Sequence, residues 1–144
     1  MRNIDSIRDQ LRRNAVAIIS LVVALSSLGY NTWRNEQTEV NRNVRHAAFE
    51  MLVRLGELQQ VADHLHYGDD PQRGSPITGW GYVAVIRDLA MVMPRPVQDN
   101  ADALFMSWDK RWDELGENES AVKEISESIK LTRTNVIDVL ESLR

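Results

Sequence analysis

The residues best equipped for chemistry stand together in the run Asp63-His64-Leu65-His66-Tyr67-Gly68-Asp69-Asp70. Imidazole and carboxylate are good ligands for zinc or nickel, and a His-x-His pair can chelate from an extended backbone. In a helix, however, side chains two positions apart point to different faces. These histidines also fall in the last turn of a helix, where imidazole is favoured by the macrodipole and by unpaired carbonyls. No structural-zinc spacing accompanies them, so no metal is assigned. His46 is isolated in sequence and is expected at the surface. Di-iron bundles place Glu-x-x-His on two helices with further glutamates facing inward. That motif does not occur, and Glu50 and Glu57 lie beside an apolar seam rather than within it. The chain has no cysteine, which removes disulfides, thiolate catalysis and Cys-based zinc sites. Neither a Ser-His-Asp set nor a glycine-rich nucleotide loop is present. The expectation is a protein that is not an enzyme and carries no cofactor.

Aromatic residues offer a second kind of chemistry. Phe105, Trp108 and Trp112 share one helix face, with the tryptophans one turn apart, and such a stripe either fills a small core or lines a ligand pocket. Gly79-Trp80-Gly81-Tyr82 is more unusual. Each glycine near a helix start lowers helix propensity by ~1 kcal/mol; either a close backbone contact or an exposed Trp80 anchor offsets it, or the helix start is frayed with Trp80 packed over the loop. Trp80 and Tyr82 are therefore candidates for partner contact, since aromatic anchors are typical interface hot spots.

Helices position all of these residues. Val44, Ala48, Met51, Leu55, Leu58, Ala62 and Leu65 recur at spacings of four and three, one continuous apolar seam. Turn-forming residues fill Tyr67 to Pro76. Ser75 and Pro76 read as N-cap and first position of the next helix, which covers about Pro76 to Met93 with Val83, Ile86, Leu89, Ala90 and Met93 inward. Pro94-Arg95-Pro96 ends it and opens a third, because proline is tolerated in a helix's first turn. The third stripe is Val97, Ala101, Leu104, Phe105, Trp108, Trp112 and Leu115, closed by Gly116. The last helix starts near Asn118 or Ser120, with Val122, Ile125, Ile129, Thr132, Val136, Val139 and Leu143 as its seam. Four amphipathic helices on short connections bury their stripes best as an up-down bundle. No segment alternates with period two, so the fold class is all-α. Whether the last helix pairs with the first is left open by the pattern.

Ahead of the bundle lies a window without a charged residue, Asn14 to Trp33, bounded by Arg13 and Arg34. As a helix it spans about 30 Å, the hydrocarbon thickness of a bilayer. Arg13 and Arg34 close its ends, and Tyr30 and Trp33 sit where interfacial aromatics are favoured. The chain is thus expected to comprise a basic N-terminal tail (1–13), a transmembrane helix (14–33) and an acidic helical domain (34–144). No proline interrupts residues 14–70, so the span can run straight into the first bundle helix; a polar juxtamembrane stretch suits a solvated stalk or a local break. A cleaved signal peptide is the alternative, with Ser27-Leu28-Gly29 as its cleavage site, but the apolar run is long for one. Within the span, Ala17, Ser20, Ala24, Ser27 and Asn31 fall at alternating spacings of three and four, on one stripe. Small residues let helix backbones approach and polar ones can bond across the contact, so the stripe is expected to pack on another helix.

Charge is unevenly placed. The first thirteen residues hold four arginines against two aspartates, a net +2; the rest hold 13 basic and 19 acidic side chains, a net −6. An acidic domain repels phosphate backbones, so no nucleic-acid partner is expected. Arginines are slightly in excess before the span over Arg34, Arg42 and Arg45 after it. The positive-inside rule therefore predicts a cytoplasmic N-terminus and an exported bundle.

The juxtamembrane string Tyr30-Asn31-Thr32-Trp33-Arg34-Asn35-Glu36, followed by Asn41-Arg42-Asn43-Val44-Arg45, resembles a recurrent class of small uncharacterised bacterial single-span membrane proteins. Gly56-Glu57-Leu58-Gln59 and Ile77-Thr78-Gly79-Trp80-Gly81 are similar to it as well. The resemblance implies a single-pass protein of the bacterial inner membrane, its C-terminal domain in the periplasm, and carries no activity or site residue with it. The expected function is that of a non-enzymatic accessory subunit or small scaffold. It would contact membrane lipid and bind a membrane protein, or itself, through the span. The alternative is an extracytoplasmic ligand-binding or sensory bundle with its pocket near Trp108 and Trp112.

Overall fold

The structure, a computed structural model, describes residues 3–68 and 70–143; for residues 3–6 and 8 it describes the backbone alone. Asp69, one of the carboxylates beside the histidines, lies outside the described residues. The order of elements is α1 (Asn3–Arg13), α2 (Ala15–His66), α3 (Pro76–Ala90), α4 (Arg95–Arg111), a 3-10 turn (Trp112–Glu114) and α5 (Glu119–Ser142). No strand occurs among the described residues. The fold is all-α, an apolar N-terminal helix followed by a bundle. Two compact units divide between Val40 and Asn41. Helix α2 contributes to both, and residues 34–43 are helical throughout, without a break.

In the C-terminal unit the polar contacts across each interface give the topology. Arg45 Nη2 donates to Leu143 O at 3.0 Å, Arg133 Nη2 to Leu52 O at 3.3 Å, and Gln59 Nε2 to Ser126 Oγ at 2.9 Å. Numbers rise along α2 as they fall along α5, so the first and last bundle helices are antiparallel neighbours. Between α4 and α5, Ser107 and Ser128 hydroxyls meet at 3.2 Å and Arg111 Nε donates to Glu124 at 2.9 Å. Between α3 and α4, Arg87 Nε donates to Asp102 at 2.8 Å and Trp80 packs edge-on against Phe105. The result is an up-down-up-down bundle closed by α2 against α5, the arrangement that short connections favour.

Its core is the set of stripes read from the sequence. Met51, Leu55 and Leu58 of α2, Val83 and Ile86 of α3, Leu104 and Trp108 of α4, and Ile125, Ile129 and Val136 of α5 are all buried. Each such side chain contributes about 1.5–3 kcal/mol when fully buried. Thr132 is the one buried polar residue among those described, and its hydroxyl donates to Ser128 O at 2.8 Å. Leu65, Leu89, Phe105, Val139 and Leu143 pack half-buried around this core.

Two boundaries differ from expectation. Helix α3 stops at Ala90 rather than Met93, and residues 91–93 form tighter i to i−3 bonds before Pro94, because the residue preceding a proline is pushed out of the α region. Met93 is nonetheless buried. Trp112 is 37% exposed and does not belong to the core stripe. Helix α4 ends at Arg111, whose φ of −127° breaks the period, so the position one turn past Trp108 swings outward and Leu115 fills the core instead. Asn118 caps α5 by accepting the Ser120 N–H at 2.9 Å. Ser75 stands at the N-cap of α3 without a side-chain bond.

The N-terminal unit holds α1 and the first part of α2. Residues expected as a basic tail form a helix, and its Ile7 and Leu11 are exposed. Asn14 interrupts the helices only locally: its N–H donates to Gln10 O at 3.0 Å and its carbonyl accepts from Ile18 at 2.9 Å. From Ala15 on, α2 is long and apolar enough to cross a membrane, with an 18-residue window of mean hydropathy 1.7, none of it buried.

Candidate functional site

The uncovered apolar helix is the most unusual surface of the molecule. Val16, Leu21, Val22, Val23, Leu25 and Leu28 are all exposed, around its whole circumference. Soluble proteins rarely leave a contiguous apolar patch of more than a few hundred Å² open to water. Ala17, Ser20, Ala24, Ser27 and Asn31 are exposed along a single stripe of the same helix, as their spacing requires. At its far end the Tyr30 and Trp33 rings lie 6.1 Å apart, tilted by 43°, both open to solvent. Arg13 and Arg34 are exposed at the two limits of the uncharged window. Beyond it the polar stretch remains helical, and the Arg34 carbonyl also accepts from the Thr38 hydroxyl at 2.9 Å.

Trp80 and Tyr82 are half-buried rather than free. The Trp80 ring meets Phe105 edge-on at 5.5 Å, and the Arg87 guanidinium covers that same Phe105 ring at 4.6 Å. Tyr82 joins Glu57, Gln60, His64, Arg73 and Thr78 along an open groove between α2 and α3. The two glycines around Trp80 serve different ends. Gly79 is buried because the Trp108 indole lies on its Cα, and a Cβ there would overlap Trp108 Cζ2 and Cη2. Gly81 has nothing within 4 Å of such a Cβ. A long-range contact therefore explains the first glycine; nothing in the structure explains the second.

The titratable clusters are engaged in holding helices. His66 Nδ1 lies 3.0 Å from Leu115 O, and its ring stacks edge-on with Tyr67 at 4.6 Å. His64 faces the α2–α3 groove instead, so the two imidazoles serve different surfaces. Among the described residues no three His, Asp or Glu side chains converge on a possible metal position. Glu50 and Glu57 clasp Arg54 at 2.6 and 2.8 Å, and these bonds, that to Glu50 foremost, raise the guanidinium's pKa. Arg111 is held likewise by Glu124 and Glu114. Asp70 organises the loop before α3. Its carboxylate accepts the Arg73 and Gln72 N–H groups, each at 3.1 Å, and lies below the usual carboxylate range. The Arg73 bond is the main cause, opposed by partial burial and reinforced by Gln72.

Trp108 is completely buried, and its indole N–H has no hydrogen-bond partner. An unpaired buried donor costs about 1–3 kcal/mol, which packing against Gly79 must offset. A ring so enclosed lines no surface, and Trp112 is on the outside of the 3-10 turn. The structure thus does not bring the two tryptophans together around a pocket. Comparison with protein-family models, curated proteins and solved structures found no match to this chain.

Proposed function

We propose that this chain is a single-span protein of the bacterial inner membrane, anchored by residues 14–33 and working through protein–protein contacts rather than catalysis. The observation that carries the reading is the exposed helix: a membrane-length stretch whose most apolar 18-residue window has no buried residue among the described residues. Lipid is the medium in which such a surface is stable. The likeness of the YNTWRNE string to small bacterial single-span proteins supports the same placement. An accessory or scaffolding role follows from the stripe of Ala17, Ser20, Ala24, Ser27 and Asn31, which lets a second helix approach closely.

In this reading the N-terminus is cytoplasmic and residues 34–144 are periplasmic, as the arginine excess before the span directs. A reporter enzyme fused after Arg144 is expected to be active only when exported; activity confined to the cytoplasm reverses the orientation.

The recognition role has its own test. Polar contacts between membrane helices average only about 0.6 kcal/mol, so no single serine is decisive. Ser20→Leu, Ala24→Leu and Ser27→Leu together should weaken association with itself or a membrane partner while leaving insertion intact. Val22→Leu with Val23→Leu, on other faces, should leave association unchanged. Association is read by cross-linking in native membranes and co-purification in mild detergent. Equal recovery of the same cross-linked species from both variants moves recognition away from the stripe and into the bundle.

A further inference from the structure

We propose that α1 is a lipid-binding element in its own right, an amphipathic helix seated in the headgroup layer and drawn there by anionic phospholipid. The inference rests on the membrane reading of α2 and adds a second membrane contact of a different kind. Three observations carry it. First, residues 3–13 are helical, and Ile7 and Leu11, one turn apart, are exposed at 54% and 53%. Two large apolar side chains open to water on one face of a short helix need a cover.

Second, that cover is positioned by the chain itself. Asn14 alone separates α1 from the helix of membrane length. Ile7, Gln10, Leu11, Asn14 and Ile18 line one shallow concavity, so the apolar side of α1 is continuous with the first exposed turn of α2. A surface that closes over Ile18 therefore meets Ile7 and Leu11 without a break. An interfacial helix has this form, with its apolar face set against the acyl boundary and its polar face in water.

Third, the charge is complementary. Arg12 and Arg13 occupy the last turn of α1, both exposed, and the first thirteen residues carry a net +2 in a chain of net −4. Asp9 is exposed on the side away from Leu11. Arginine pairs bidentately with phosphate, and each basic residue near an anionic surface strengthens binding about five-fold.

The absence of cysteine makes a direct test clean. Single variants Ile7→Cys, Asp9→Cys, Leu11→Cys and Val22→Cys of the full chain carry an environment-sensitive fluorophore in phosphatidylglycerol/phosphatidylcholine vesicles. Labels at 7, 11 and 22 are expected to emit as in an apolar medium and the label at 9 as in water. In vesicles of phosphatidylcholine alone, or after Arg12→Gln with Arg13→Gln, the apolar fraction at 7 and 11 should fall several-fold while 22 is unchanged. Labels at 7, 9 and 11 all in water, with 22 in lipid, overturn the inference and leave the span standing. All four in lipid also overturn it, because α1 is then simply more of the span. No dependence on anionic lipid overturns the electrostatic part. A label at 22 in water removes the membrane reading itself, and the inference with it.

Discussion

Gly79→Ala is expected to destabilise the bundle by about 1–3 kcal/mol, while Gly81→Ala, two residues along the same helix, stabilises it by up to ~1 kcal/mol. Helix propensity alone predicts a gain at both positions. The opposite signs come from tertiary contact. At Gly79 the new methyl overlaps the six-membered ring of Trp108, which is fully buried. At Gly81 no atom stands within 4 Å, so only the backbone term acts. Trp108→Phe removes the overlapping ring atoms and the unpartnered indole N–H together. The double variant Gly79→Ala with Trp108→Phe should therefore cost less than the sum of the two single changes, by at least about half a kilocalorie. Urea unfolding of residues 38–144, followed by far-ultraviolet circular dichroism, reads all four variants. If Gly79→Ala is tolerated as well as Gly81→Ala, the indole does not lie on α3.

Leu55→Ala and Ile129→Ala are each expected to cost about 2–5 kcal/mol, the usual range for large-to-small changes in a packed core. Both side chains are buried, at 0% and 3% exposure, and both line the same cavity between α2 and α5, together with Arg133. Because they share that interface, the double variant should depart from additivity. Val53→Ala serves as the control: Val53 is exposed on α2, so its loss should stay within about half a kilocalorie. Losses that small at both Leu55 and Ile129 would mean that these seams do not form the core.

The four apolar seams were legible because burial demands a period near 3.6, and residues such as Met51, Leu58, Ile86 and Ile125 display it in an unbroken register. The uncharged window was legible as a long apolar helix because charge stops at Arg13 and resumes only at Arg34. What escaped depends on contacts between distant residues or on small breaks in the period. The 3-10 turn after Arg111 removes Trp112 from the stripe, and no local signal marks it short of Gly116. The pairing of Gly79 with Trp108 joins residues on different helices; a glycine inside a helical pattern was its trace, and it left a close contact, an exposed anchor and a frayed start equally open. Helix α1 was read as a tail because its arginines were weighed as charge before the span, and the three apolar residues at helical spacing, Ile4, Ile7 and Leu11, were not weighed as a face. The pairing of α2 with α5 also lay beyond pattern, since any ring of four amphipathic helices satisfies the same stripes.

That pairing has a mechanical consequence. Arg45 and Leu143 are bonded side by side, so the chain enters and leaves the bundle at one end. Tension applied between those two points does not shear α2 along α5; it pulls them apart crosswise. Resistance is then met one contact at a time, first Arg45 with Leu143, next Arg133 with Leu52, last Gln59 with Ser126. A load applied between Arg45 and Leu143 thus acts on α2 and α5 as an unzipping force rather than a shear.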